Sequence, residues 1–331
     1  EIEEGSRPSG VFNQLTPTTD AEYYPAWALE DESKEGASRI RTELSHQPSD
    51  AGDMRIQGGD SAAILVVGDQ LLSGAVKETN SYFISSHLRA VGIEVKQVMI
   101  VESDVDIIAF MLRRLSPVHR YVFVCGGLGP LHADVTHAAV AKAFGTGIFE
   151  HPQLLRMIVN SVEPERLTEF HCRMAFIPFG SELLQADFLQ GNRFTSWCDM
   201  MRHWPVVKKN NCFMLPSKPA LLKRKFLSIL PMISSSPIYA TRVVFKVDKS
   251  RIAPQLAAAV SVYDQVHANS YTSIDEKDNV ARTVTILESK DKEQQQKALK
   301  VLLEQVPSSY VLEVREENVL GQDGPGLGTG L

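Results

Sequence analysis

From residue 62 onward, short continuous apolar runs alternate with longer stretches whose apolar positions repeat at a helical spacing. Ala62-Ala63-Ile64-Leu65-Val66-Val67 is apolar without a break and ends in Gly68-Asp69. That is the pattern of a strand covered on both faces of a parallel sheet. Thr79 or Asn80 is placed to cap a helix running to about Ala90, and Gly92 stops it. Ile93–Val101 alternates as a second strand, and Ser103 or Asp104 caps a helix to about Leu115. Tyr121-Val122-Phe123-Val124-Cys125 is a third buried strand, broken by Gly126-Gly127, and a helix from about Asp134 to Phe144 follows. Strand and helix three times over predict a three-layer, doubly wound, mostly parallel α/β sheet. Past Pro152 the pattern weakens. It predicts helices over 154–162 and 219–230 and short strands at 174–178 and 212–215. The stretch 181–207 has no clear pattern, with Lys208-Lys209 read as a loop end.

After Pro231 and the serines Ser234, Ser235 and Ser236 the texture changes again. Ile238–Val247 reads as a strand, Ile252–Val262 as a helix, and Val266–Tyr271 and Val280–Leu287 as strands. Glu293–Glu304 reads as a helix and Tyr310–Val314 as a last strand. The order βαββαβ predicts a small ferredoxin-like α+β domain. The expected organisation is a tail at 1–60, the sheet domain at 61–233, the α+β domain at 238–316 and a flexible glycine-rich tail at 317–331. Gly326-Leu327-Gly328-Thr329-Gly330 resembles a phosphate loop only superficially and is expected to be flexible.

Charge sharpens this division. The chain carries 40 acids and 34 bases, a net of −6. Residues 1–60 hold 13 of the acids and 5 of the bases, net −8, which leaves 27 and 29, net +2, for the remainder. The tail is expected not to fold alone, although Ala21–Leu29 is aromatic enough to dock on a partner. The net charge of −6 argues against a dedicated nucleic-acid binder, and no apolar run reaches the roughly 18–20 residues of a membrane span. Cys125, Cys172, Cys198 and Cys212 are scattered, without a zinc or disulfide spacing. The expectation is a reduced, cytoplasmic setting, with the mitochondrial matrix left open because the chain starts at Glu1.

Ligands of open α/β sheets bind beyond the carboxyl ends of the strands, where strand order switches. Two loops leave such ends: Gly68-Asp69-Gln70-Leu71-Leu72-Ser73-Gly74, ahead of Glu78-Thr79-Asn80, and Gly126-Gly127-Leu128-Gly129-Pro130-Leu131-His132-Ala133-Asp134-Val135-Thr136. Glycines let backbone amides approach a ligand, and a following helix adds its positive end, a combination that favours phosphate. Asp134 is placed either to cap that helix or to hold a metal. His132 is an exposed loop residue or a phosphate contact. Lys218, Lys223, Arg224 and Lys225 read as a solvated helix face, with Lys218 able to reach an anion. Trp197 and Trp204 are core residues or part of a cover over the site. Asp199, Arg202 and His203 lack a metal-site spacing.

The second loop resembles the GGxGPTxDDxT segment of the molybdopterin-binding domain family, which includes molybdenum-cofactor biosynthesis enzymes and competence-damage-inducible proteins. The first resembles that family's GDELLSG…DTN segment. The likeness is in particular to the N-terminal half of animal FAD synthases and continues through Asn269-Ser270-Tyr271, covering about 61–316. It implies a fold of that type and a flavin or nucleotide ligand such as FAD. The implied ligand contacts are Gly68, Ser73, Gly74, Thr79, Asn80, Gly126, Gly127, Gly129, Pro130, His132, Thr136 and Lys218. If the site is active, the resemblance implies a divalent metal (Mg, Mn or Co) on Asp69 and Asp134, and cleavage of FAD to FMN and AMP, or of ADP-ribose. Relatives self-associate, so a homo-oligomer is compatible. The adenylyl-transferring domain of FAD synthases has no counterpart in this sequence, so FMN adenylylation is not expected of it.

The departures weigh on activity. Gln70 stands for a family Glu, Leu131 for a Thr, Ala133 for the first of two Asp, Ser217 for a Gly, and Glu78 for an Asp. A hard cation wants several oxygen ligands, and two acidic ones are missing. Two classes of function stay open: a degenerate flavin- or nucleotide-binding protein with weak or no turnover, and a metal-dependent pyrophosphatase. Molybdopterin binding is a third.

Overall fold

The computed structural model describes residues 58–184, 197–233, 235–274 and 280–317. The N-terminal segment with its Ala21–Leu29 patch, and the glycine-rich end, lie outside them. The chain divides into two compact units. One holds the described residues up to Phe83 together with Val95–Ile229; the other holds Ile84–Glu94 and the described residues from Leu230 onward.

In the first unit the chain runs β1 (Gly58–Val67), α1 (Asp69–Leu72), α2 (Asn80–Ala90), β2 (Glu94–Val101), α3 (Val105–Leu115), β3 (His119–Cys125) and α4 (Thr136–Ala143). It continues through β4 (Ile148–Glu150), α5 (Pro152–Ser161), α6 (Glu169–Arg173), β5 (Phe176–Pro178), β6 (Glu182–Leu184), α7 (Trp197–His203), β7 (Val206–Lys209), β8 (Cys212–Leu215) and α8 (Pro219–Ile229). Of α2, only the first turn belongs to this unit; the rest belongs to the second.

Six strands form one sheet in the order β2-β1-β3-β8-β7-β6. β3 pairs parallel with both β1 and β8, whereas β7 pairs antiparallel with β8 and β6. The chain leaves β1 for β2 on one side and later enters β3 on the other, so the order reverses between β1 and β3. This is the doubly wound, mostly parallel α/β fold. Ala62–Val67 and Val122–Cys125 are buried throughout, as their unbroken apolar runs require. Each large side chain there contributes roughly 1.5–3 kcal/mol by burial. β2 lies at the edge, where Val98 and Ile100 are exposed. Phe123 stacks on Phe213 of β8 and meets Phe226 of α8 edge-on, with ring centroids 5.4 and 5.5 Å apart.

Lys208 and Lys209 are not at a loop end. They lie on β7, where Lys208 pairs with Glu182 of β6 at 3.0 Å and Lys209 donates to the Phe179 carbonyl at 2.7 Å. Asn210, in the left-handed region at φ 52°, turns β7 into β8. Asn tolerates that conformation better than other residues with a side chain.

In the second unit β9 (Tyr239–Phe245), α9 (Ala253–Ser261), β10 (His267–Ile274), β11 (Ala281–Ser289), α10 (Lys292–Gln305) and β12 (Val311–Glu317) follow one another. All pairings are antiparallel in the order β10-β11-β9-β12, the ferredoxin-like arrangement. Val243, Phe245, Leu287, Ala298 and Leu302 are buried between sheet and helices. Asp291 caps α10 by accepting from the amides of Glu293 and Gln294. Arg89, near the end of α2, donates to Glu288 at 3.0 Å and to Glu317 at 3.1 Å. Among the described residues no helix is long and apolar enough to cross a membrane.

Candidate functional site

Three adjacent parallel strands, β1, β3 and β8, end side by side, and a loop leaves each. Gly126 joins them. Its amide donates to the Leu215 carbonyl at the end of β8, at 2.9 Å. A Cβ on Gly126 would lie 2.4 Å from the Val67 carbonyl oxygen at the end of β1 and 3.6 Å from the Ser217 Cβ. With φ at 106°, the position suits glycine alone. Asn80 completes the closure: its Nδ2 donates to the Ser217 carbonyl at 2.8 Å, while its buried Oδ1 has no partner among the described residues. The residue is 7% exposed, and this oxygen is an acceptor held out of water.

The loop after β3 is set by Thr136. Its Oγ1 donates to the Gly126 carbonyl at 2.8 Å and its amide to the Gly127 carbonyl at 3.1 Å. Gly127, at φ 65°, leaves the room that the Thr136 hydroxyl fills. Asp134 does not cap α4. Its Oδ2 accepts from the Leu131 amide at 2.8 Å, and the carboxylate lies where a Cβ on Gly129 would be, 2.7 Å away. Among the described residues no side chain caps α4; the Gly127 carbonyl takes its first amide, and the positive end of the helix faces the glycine loop without a carboxylate on it.

The loop after β1 behaves differently. Neither Thr79 nor Asn80 caps α2. The Glu78 carboxylate does so, accepting from the Asn80 amide at 2.6 Å, from the Ser81 amide at 3.0 Å and from the Ser81 hydroxyl. Glu reaches farther than the usual caps and spans the first turn from outside. Asp69 opens the one-turn α1, and its Oδ1 accepts from the Ser103 amide at 3.0 Å. The Gly68 amide donates to the Val101 carbonyl, also at 3.0 Å, tying this loop to the end of β2.

Of the residues singled out from sequence, Gly68, Asn80, Gly126, Gly127 and Thr136 are therefore packed at the three strand ends. Gly129 and Pro130 are half-buried beside Asp134. Ser73, Gly74, Thr79, His132 and Lys218 are exposed. Leu131, 65% exposed, does not plug the site. Trp204 is buried in the core and Trp197 packs against it, T-shaped to His171. Sequence reasoning missed Arg173 of α6, whose pKa is lowered by burial while Glu169 and Asp134 act to raise it. A cation thus lies within electrostatic reach of Asp134, with no signal in the spacing to announce it.

The donor set does not fit a resident metal. Among the described residues no group of three His, Cys, Asp or Glu side chains is placed to hold one. Asp69 and Asp134 each spend an oxygen on a backbone amide of a different partner. A divalent cation here would depend on oxygens brought by a substrate.

Sheet order, glycine loops and strand ends define an α/β domain of the molybdopterin-binding type. The family described as a probable molybdopterin binding domain matches residues 63–235, more than half of the chain, and the chain belongs to it. A probable FAD synthase of Caenorhabditis briggsae is 23% identical over 274 residues, covering 76% of this chain and 50% of that protein. The chain thus spans about half the length of that relative. A Pyrococcus abyssi protein is 28% identical over 221 residues, covering 63% of this chain and 84% of its own length. The crystal structure of CinA, a protein of unknown function from Thermoplasma acidophilum, is 24% identical with a TM-score of 0.45, covering 53% of this chain and 99% of that one.

Proposed function

We infer that the three strand-end loops bind the phosphate-bearing part of a flavin or other nucleotide, FAD foremost, with weak or no turnover. The observation that carries this reading is the contrast inside the second loop. The α4 end is left uncapped beside glycine amides, whereas the nearby carboxylate, Asp134, is folded back onto its own loop. Amides and an open helix end hold phosphate oxygens without needing a metal. Likeness to a probable FAD synthase supports a flavin nucleotide over other phosphates. In the binding step Thr136 keeps the Gly126–Gly127 turn in register, and Asn80 holds the Ser217 backbone beside it.

A pyrophosphatase is the second reading. Asp69 and Asp134 each keep one oxygen outside their backbone hydrogen bond, so a metal riding on the substrate's phosphates would find two carboxylate ligands. The deciding experiment measures FAD binding, and AMP release from FAD and ADP-ribose, with Mg, Mn or Co present and Asp134→Ala alongside. Saturable binding with no AMP release above the variant supports the first reading. Metal-dependent release that disappears in Asp134→Ala establishes the second. Absence of both binding and release overturns the flavin assignment.

A further inference from the structure

Lys225 does not lie on a solvated face. Leu222, Lys225, Phe226 and Ile229 fall at helical spacing i, i+3, i+4, i+7, and all four are buried on one side of α8. Lys225 is 8% exposed, and its ammonium donates to the Arg202 carbonyl at the end of α7, at 2.7 Å. An ammonium has three N–H groups; this bond uses one. Beside it opens a polar cavity of about 100 Å³, lined by Arg202, His203, Trp204, Arg224, Lys225 and Ser228 among others. That is room for several waters.

The described lining holds no carboxylate. The guanidinium groups of Arg202 and Arg224 make no hydrogen bond or ion pair among the described residues. Asp199 meets His203 of the lining, whose Nδ1 is 2.9 Å from the Asp199 backbone carbonyl and 3.7 Å from its carboxylate. Two other lysines of this unit do have acidic partners, Lys208 with Glu182 and Lys142 with Asp106. Three cationic side chains around one cavity, one of them buried, repel one another unless an anion enters. Two planar guanidinium forks and an ammonium suit the tetrahedral oxygens of a phosphoryl group. We propose that this cavity is a second ligand site, taking a phosphoryl group or an oxyanion of similar size. None of its residues belongs to the three strand-end loops, and the inference stands whether or not those loops bind flavin.

The test is thermal melting of the full chain in inorganic phosphate against chloride at matched ionic strength, with adenosine monophosphate as a parallel arm. The expected result is a saturable rise in Tm, with half-saturation at least tenfold weaker in Arg224→Ala and in Lys225→Met. Arg224 is exposed, so its variant folds even if Lys225→Met does not. Lys208→Ala leaves the response within twofold. A half-saturation tenfold lower for the nucleotide, lost in Arg224→Ala, assigns the phosphoryl group to a nucleotide; equal values assign it to the free ion. No saturable response, or one kept in Arg224→Ala and lost in Thr136→Val, overturns the proposal.

Discussion

The loops after β1 and β3 begin alike and end differently. Both leave neighbouring parallel strands through a glycine and lead into a helix. In the first, the Glu78 carboxylate already occupies the positive end of α2. In the second, α4 is uncapped, and Asp134, two residues before it, turns away to the Leu131 amide. An acid in a ligand loop is thus not by itself a metal ligand, and a helix end accepts an anion only where the chain has not supplied its own. Under the proposed function, the second loop is the one that receives phosphate.

The largest test of that contrast is steric. Gly126→Ala places a Cβ 2.4 Å from a backbone carbonyl at φ 106° and is expected to cost more than about 3 kcal/mol. Gly74→Ala in the first loop meets nothing within 4 Å, and its strain at φ 74° is expected to cost about 1 kcal/mol. Urea unfolding of both variants checks the pair. Equal losses would mean that the two loops are equally constrained.

A pH series separates the amide-lined loop from the basic cavity. Burial, and then the charge of Arg224, lower the Lys225 pKa to about 8 from its ordinary 10.5. Arg202 and His203 line the same cavity. Between these values the folded chain binds fewer protons than the unfolded one, so this residue's contribution to stability rises with pH across that window, by up to about 3 kcal/mol. Cys125 and Cys212, with thiol pKa values raised by burial, pull the other way above about pH 9. The difference between the wild type and Lys225→Met isolates the lysine. A flat difference from pH 7 to 10.5 would remove Lys225 as its source.

Thr136→Val deletes a buried hydroxyl and leaves the Gly126 carbonyl without that donor. The expected loss is about 1–2 kcal/mol of stability, by urea unfolding. FAD half-saturation is expected to rise at least fivefold, because the glycine turn loosens. Unchanged affinity would take the second loop out of binding.

The parallel core and the α+β unit were legible because their strands are unbroken apolar runs or clean alternations, and because glycines mark the strand ends. β6, β7 and α7 were not, since these short elements, three to seven residues long, are held by non-local pairing rather than by their own periodicity. Lys225 was misread because three neighbouring bases suggested a solvent face, although Leu222, Phe226 and Ile229 already placed it among buried positions. Of the candidate site, the strand-end placement of Gly68, Gly126, Gly127 and Thr136 could be read from sequence. The directions of Glu78 and Asp134 could not. Each carboxylate had several amides within reach, and only the folded loop decides which one it takes.

The smallest expected effect is at Glu78, and it bears most directly on the difference between the loops. Glu78→Gln keeps the shape and an acceptor for the Asn80 and Ser81 amides but removes the charge at the end of α2. Losing that charge–dipole interaction costs about 0.5–1 kcal/mol, readable as a small shift in the urea midpoint. FAD affinity is expected to stay within twofold or to tighten, because a negative charge beside the strand ends is gone while the second loop is untouched. A tenfold loss of affinity would mean that Glu78 serves the ligand rather than the helix, and the first loop would then have to be counted as part of the binding machinery.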